Sequence, residues 1–176
     1  MRKVHLYDES APTYHRRYRR IQLTKYQAIT PFLHKGPIID VGIGTGIGLP
    51  SLVEFAPIIG VDGAIEMLRV ATEQVKKLES KYQLVSLVCA FAEALPFRDQ
   101  SVPTVVSITM IQNLTDINRG LNELARVLQM EGILAMTSLS RILPLHKLEA
   151  SFNFQYTLIS QFENLADEDD GLVLQL

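Results

Sequence analysis

The chain has 176 residues, with 17 basic and 19 acidic side chains, one cysteine, no tryptophan and 47% hydrophobic residues. Those values exclude a disordered polymer and predict one domain over residues 1–176 with a core of its own. A lone cysteine excludes a disulfide framework and a cysteine-rich zinc site. No apolar window predicts a membrane span and MRKVHLYDES does not read as a secretory leader, so a cytoplasmic protein is expected.

Residues 1–35 hold eight basic side chains, among them Arg16, Arg17, Arg19, Arg20 and Lys25, against only Asp8 and Glu9. Tyr14, Tyr18, Ile21, Ile29 and Phe32 recur at helical spacing, which predicts an amphipathic helix over 14–33 closed by Gly36-Pro37. The basic front is compatible with RNA or a lipid surface. A pI of about 6.1 favours the plainer reading of a solvated helix face. The run Pro37-Ile38-Ile39-Asp40-Val41 has strand character and enters glycines, after which 46–54 can turn into a helix. A second apolar run, 57–62, also ends in an acid, Asp62. Residues 64–79 place Leu68, Ala71, Val75 and Leu78 on one helical stripe.

Strands are predicted at 84–89, about 104–108 and 132–137. Thr115 or Asp116 can cap a helix whose apolar face is Ile117, Leu121, Leu124 and Leu128. A helix over 143–154 follows. Residues 156–162 and 172–176 then flank an acidic, turn-rich stretch and read as a closing hairpin. Strands alternating with helices predict a parallel sheet covered on both faces.

The chemistry concentrates at Asp40-Val41-Gly42-Ile43-Gly44-Thr45-Gly46. Glycines after a strand permit a tight turn and close approach of a ligand to the backbone. The N–H groups of a following helix favour a carboxylate or phosphate there. Asp62, twenty residues beyond Gly42, is placed to accept hydrogen bonds from ribose hydroxyls. Turn and acid together predict a nucleoside ligand. The dinucleotide fingerprint Gly-x-Gly-x-x-Gly fails, because its third glycine would fall on Ile47 or Leu49. A nicotinamide oxidoreductase is therefore disfavoured.

Asp-x-Gly-x-Gly-x-Gly resembles the first motif of the class I S-adenosylmethionine-dependent methyltransferases. Gly60-Val61-Asp62-Gly63-Ala64, Ala92-Glu93-Ala94-Leu95-Pro96-Phe97 and Asn122-Glu123-Leu124-Ala125-Arg126 are similar to their later motifs. Tyr7-Asp8 and Tyr14 resemble the small ubiquinone/menaquinone-biosynthesis-like branch. The resemblance implies a Rossmann-like three-layer α/β/α sandwich. Its mostly parallel, seven-stranded sheet would be closed by a C-terminal antiparallel hairpin, with residues 1–35 as a lid region. It implies S-adenosylmethionine as cofactor, with Asp40 orienting the methionyl amino group and the Gly42, Gly44 and Gly46 backbone lining the methionyl part. Asp62 would hold the ribose, Gly63 and Met67 would lie against the adenine, and the Ala92 N–H would meet an adenine nitrogen. Ser107 would edge the methionyl portion and Tyr14 would close over it. Met67 and Tyr14 fit packing roles equally well.

Several positions depart from that pattern. Phe91 stands where the family usually has an acid that bonds the adenine amino group, a loss of about 1–3 kcal/mol that packing on the ring would partly offset. Gln112-Asn113 replaces a frequent histidine pair, and Met130-Glu131-Gly132 replaces Pro-Gly-Gly. No catalytic residue can be named. His5, His15, His34 and His146 are scattered, His15 reading as a surface residue and Cys89 as a small buried hydrophobe. No acidic cluster predicts a metal.

Methyl transfer needs alignment above all, and a general base only where the acceptor must lose a proton. The expectation is transfer to a small-molecule acceptor, with a homo-oligomer compatible. The alternatives are a methyltransferase-like interaction protein with little activity and an RNA methyltransferase, nucleic acid being the less favoured partner.

Overall fold

The computed structural model describes residues 2–55, 57–78 and 84–176, with side chains from residue 5 onward. The elements in chain order are α1 (Arg2–Ile29), β1 (Ile38–Val41), α2 (Leu49–Leu52), β2 (Ile58–Asp62), α3 (Ile65–Lys76) and β3 (Val85–Cys89). They continue with β4 (Val102–Ser107), α4 (Ile117–Val127), β5 (Leu128–Leu139), α5 (Leu145–Glu149), β6 (Thr157–Leu165) and β7 (Asp169–Gln175). One seven-stranded sheet runs in the order β3-β2-β1-β4-β5-β7-β6. Its first five strands are parallel, and β7 is antiparallel to both β5 and β6. This is the Rossmann-like sandwich with its C-terminal hairpin.

Strand alternation builds the three layers. Successive side chains point to opposite faces, so Ile39, Val105, Leu134, Met136, Leu172 and Leu174 enter one core with Leu121, Leu124 and Val127 of α4. Their neighbours Ile38, Val106, Ile133, Ala135 and Val173 enter a second core with Tyr26 and Ile29 of α1, Leu49 and Leu52 of α2, and Leu68 and Val75 of α3. Strand order reverses between β1 and β4, which opens a crevice beyond their carboxyl ends.

Several boundaries differ from the expectations. Helix α1 begins far before Tyr14 and carries Pro12 inside it. Ala11, 1% exposed, anchors that N-terminal part against Ala64 and Met67, tertiary packing that offsets the cost of an interior proline. The helix stops at Ile29, and Thr30–Phe32 continue as a 3-10 turn holding Pro31. The helices expected at 46–54 and 143–154 shrink to α2 and α5. Beyond α5 the rings of Phe152, Phe154 and Tyr156 pack on one another in irregular chain. Strand β5 starts four residues early and absorbs the left-handed Glu131, where its register with β4 slips. Asp116 does cap α4, its Oδ1 accepting the Arg119 N–H at 3.0 Å. The stripe expected over 64–79 forms α3, which ends at Lys76; Leu78 follows it and packs on the second core, and residue 79 lies outside the described residues.

Two charge expectations are corrected. Asp169 and Asp170 lie inside β7 and are buried, so they form no solvated hairpin tip. Lys25, counted with the solvated basic face, is 0% exposed. Cys89 is exposed, because β3 is an edge strand and its fifth residue faces outward.

Candidate functional site

A cavity of about 560 Å³ occupies the crevice at the β1/β4 switch point. Its floor is the turn after β1, with Val41, Gly42 and Gly44, and its flank is Val61, Asp62 and Gly63 at the end of β2. Met67 of α3 and the segment Ala90-Phe91-Ala92-Glu93 close one side. Tyr7 and Tyr14 of α1 form the roof, facing Ile108, Thr109, Met110 and Asn113 from the segment after β4.

The glycine turn has two conformational demands. Gly42 sits at φ +84, and a Cβ there would lie 2.5 Å from Met110 Cγ, so Met110 packs directly on the bare backbone. Gly44, at φ +55, donates its N–H to Asp62 Oδ2 at 2.8 Å. The Ala64 N–H meets Asp62 Oδ1, also at 2.8 Å, so each carboxylate oxygen holds a backbone donor. Burial pushes the Asp62 carboxyl up from its ordinary range, against hydrogen bonds from the Ala64, Gly44 and Gly63 backbone. Asp8 reaches across from α1 to accept the Glu66 N–H at 2.9 Å, which satisfies a free donor at the start of α3.

Asp40 lies behind the cavity and is not among its lining residues. Its Oδ2 accepts the Tyr26 hydroxyl at 2.9 Å, while the buried Oδ1 finds no partner among the described residues. Burial raises its carboxyl to about 7, with the Tyr26 hydrogen bond working in the other direction. Gly46 and Ser107 are also outside the lining, and the buried Ser107 hydroxyl finds no partner among the described residues. The structure thus brings together Tyr14, Gly42, Gly44, Asp62, Gly63, Met67, Phe91 and Ala92 around one space, with Asp40, Gly46 and Ser107 behind it.

Tyr7 and Asn113 also line the cavity, though the sequence marks them only as parts of the Tyr7-Asp8 pattern and the Gln112-Asn113 pair. The Asn113 Nδ2 donates to the Tyr7 hydroxyl at 2.7 Å, joining α1 to the segment after β4 across the cavity wall. The Tyr7-Asp8 pattern was the available signal for α1. Nothing in the sequence distinguishes Thr109 or Met110. His15 is half-buried: its Nδ1 lies 3.2 Å from the Thr45 hydroxyl and 3.3 Å from the Thr45 carbonyl, so it clasps α1 to the glycine turn. Burial pushes its pKa down, and Arg19 and Lys77 add to that direction. Among the described residues, the charged side chains that line the cavity are Asp62 and Glu93, and no Lys, Arg or His lines it. Among the described residues no three His, Cys, Asp or Glu side chains gather as a metal site, and no helix is long and apolar enough to cross a membrane.

The sequence matches the family model described as a methyltransferase domain over residues 39–136, more than half of the chain. The ubiquinone/menaquinone biosynthesis C-methyltransferase of Geotalea uraniireducens is 34% identical over 101 residues, covering 55% of this chain and 43% of the relative. The phosphatidylethanolamine N-methyltransferase of Cereibacter sphaeroides is 32% identical over 99 residues, covering 55% and 47%. The chain therefore spans less than half the length of these curated relatives. Among solved structures, an S-adenosylmethionine-dependent methyltransferase from Aquifex aeolicus superposes with a TM-score of 0.73 at 18% identity. The match covers 98% of this chain and 97% of that one, a shared fold over nearly the whole length.

Proposed function

The chain belongs to the methyltransferase-domain family, and on that premise we propose that it transfers a methyl group from S-adenosylmethionine to a small-molecule acceptor. The observation that carries the cofactor reading is the buried Asp40 Oδ1, which finds no partner among the described residues, behind a glycine turn whose neighbour, Asp62, lines the cavity. An orphaned buried carboxylate oxygen costs free energy unless a donor reaches it, and an ammonium, directly or through water, is such a donor.

The residues present fit the cofactor. Asp40 would face the methionyl ammonium, the backbone of 42–44 the methionyl chain and Asp62 the ribose hydroxyls. Gly63, Met67, Phe91 and Ala92 would enclose the adenine, Gly46 and Ser107 would support the methionyl end from behind, and Tyr14 would cover it. The cofactor supplies an electrophilic methyl on a sulfonium. What the chain supplies is alignment, which contributes up to roughly 7–11 kcal/mol to such a displacement. Tyr7 and Asn113, hydrogen-bonded to one another on the wall opposite the glycine turn, are placed to orient the acceptor. The Tyr7 hydroxyl is pushed up by burial, so it stays protonated and can donate to an acceptor oxygen or nitrogen.

Calorimetric titration with S-adenosylmethionine and S-adenosylhomocysteine tests the reading. The expected result is micromolar binding of both, lost in Asp62→Ala. If neither ligand binds below millimolar and Asp62→Ala changes nothing, the proposal fails.

A further inference from the structure

Among the described residues Lys25 is the largest fully buried charged side chain, and nothing in the proposed chemistry uses it. Its side chain is 0% exposed, and Nζ donates to Asp169 Oδ1 at 2.8 Å, Glu168 Oε1 at 2.8 Å and Thr109 Oγ1 at 3.0 Å. Those three bonds occupy every proton of the ammonium. Asp169, also 0% exposed, uses its other oxygen to accept the hydroxyls of Thr109 at 2.7 Å and Thr137 at 2.6 Å. The Thr109 N–H donates to the Thr137 hydroxyl at 3.0 Å and the Thr137 carbonyl at 3.1 Å. Two elements distant in sequence, α1 and β7, thus converge on a single residue in the segment after β4.

That residue is held in an unusual backbone state. Thr109 has φ +55, and it is the only β-branched residue with positive φ among the described residues. A β-branched side chain is disfavoured in the left-handed region by roughly tenfold or more, and persists there only where surrounding structure over-determines it. Thr109 also lines the cavity, and its conformation is passed forward. Its carbonyl accepts Gln112 Nε2 at 2.7 Å and Asn113 Nδ2 at 3.4 Å, and Asn113 in turn holds the Tyr7 hydroxyl. The next residue, Met110, packs on Gly42. A buried ion pair is a weak source of net stability, so stability alone is a poor account of this one.

We propose that Lys25, anchored by Asp169 and Glu168, is a positioning residue that clamps Thr109 in the left-handed conformation and so sets the ligand-facing wall of 109–113. The inference rests on the cavity reading above for its ligand arm, and its structural arm stands apart from it. Removing the ammonium frees Thr109 to leave the left-handed region, and Met110 and Asn113 move with it. A glycine at 109 tolerates that conformation without a clamp, so it can repair the wall and cannot repair the ion pair.

The test compares Lys25→Met with Lys25→Met/Thr109→Gly, reading S-adenosylhomocysteine affinity by calorimetry, amide hydrogen exchange across 109–113 and unfolding in urea. Lys25→Met should weaken the ligand about tenfold and accelerate exchange at 109–113 more than in the glycine turn. The double variant should recover most of that affinity while remaining as unstable as the single one. Wild-type affinity in Lys25→Met, or no recovery with glycine, overturns the proposal. If Asp169 left unpaired prevents folding, Lys25→Met/Asp169→Leu removes both charges and is held to the same outcomes, with and without Thr109→Gly. If the wild-type protein binds no S-adenosylhomocysteine, the cofactor reading fails by itself. Hydrogen exchange then decides: acceleration concentrated at 109–113 upholds the clamp, and its absence overturns it.

Discussion

Asp40→Asn isolates the energetic consequence of burying a carboxylate at the β1 tip. The side chain is fully enclosed, burial raises its carboxyl from 3.8 to about 7, and the neighbouring Asp62 pushes the same way. A carboxyl whose folded value is raised binds protons more tightly in the folded state. Between its unfolded and folded values the unfolded chain ionises first, so stability falls as pH rises from about 4 to about 7. Below that window both states are protonated, and above it both are ionised. At about 1.4 kcal/mol per pH unit the loss attributable to Asp40 is about 4 kcal/mol, a large share of the 5–15 kcal/mol typical of a domain. Asparagine keeps an oxygen for the Tyr26 hydroxyl and removes the titration. Urea unfolding at pH 4.5, 5.5, 6.5 and 7.5 on both proteins gives the test. The difference in unfolding free energy should move in favour of the variant by several kcal/mol across that range. A difference constant to about 0.5 kcal/mol would refute the account of Asp40 as a desolvated acid.

The other expectations concern the ligand. On the proposed reading, Phe91→Asp restores an acceptor for the adenine amino group. It should tighten S-adenosylhomocysteine about tenfold in calorimetry, whereas weaker binding would show that ring packing by Phe91 matters more. Gly42→Ala forces a side chain into φ +84 and against Met110. It should cost about 2 kcal/mol or more in urea unfolding, with Met110→Ala recovering only the steric part. Binding a cation near Asp40 should lower its pKa and release about half a proton near pH 7 and none above pH 8.5. Titrations in buffers of different ionisation enthalpy read that number, and a value of zero near pH 7 would separate Asp40 from the ligand.

What was legible in the sequence was local. The glycine turn and the acid twenty residues on are set by short-range backbone requirements, and both occur where the spacing predicted. The Asp116 cap is likewise a contact three residues long. The misreadings are non-local. Lys25 looked like one more basic residue on a solvated face because Asp169, the group that neutralises it, is 144 residues away. Asp169 and Asp170 looked like part of the turn that residues 166–168 do form, because nothing nearby shows that β7 runs between β5 and β6. Cys89 looked buried because alternation does not reveal which strand is an edge. Helix α1 was read short because the packing of Ala11 on Met67 is invisible in a sequence that carries Pro12 beside it.

The two acids at the strand tips explain why a site with a missing adenine contact can still hold its proposed ligand. Parallel pairing sets Asp40 opposite Gly60 and Val41 opposite Val61, which puts Asp62 one step beyond the β1 tip at the same end of the sheet. Both carboxyls are raised by burial, so ionising them there carries a desolvation cost that no Lys, Arg or His among the described lining residues offsets. An ammonium and a sulfonium entering together relieve it, and a desolvated cavity makes that attraction stronger than water would. Affinity on this reading comes chiefly from the cationic end of the cofactor, and the adenine end, where Phe91 offers a ring in place of an acid, is left to shape and packing.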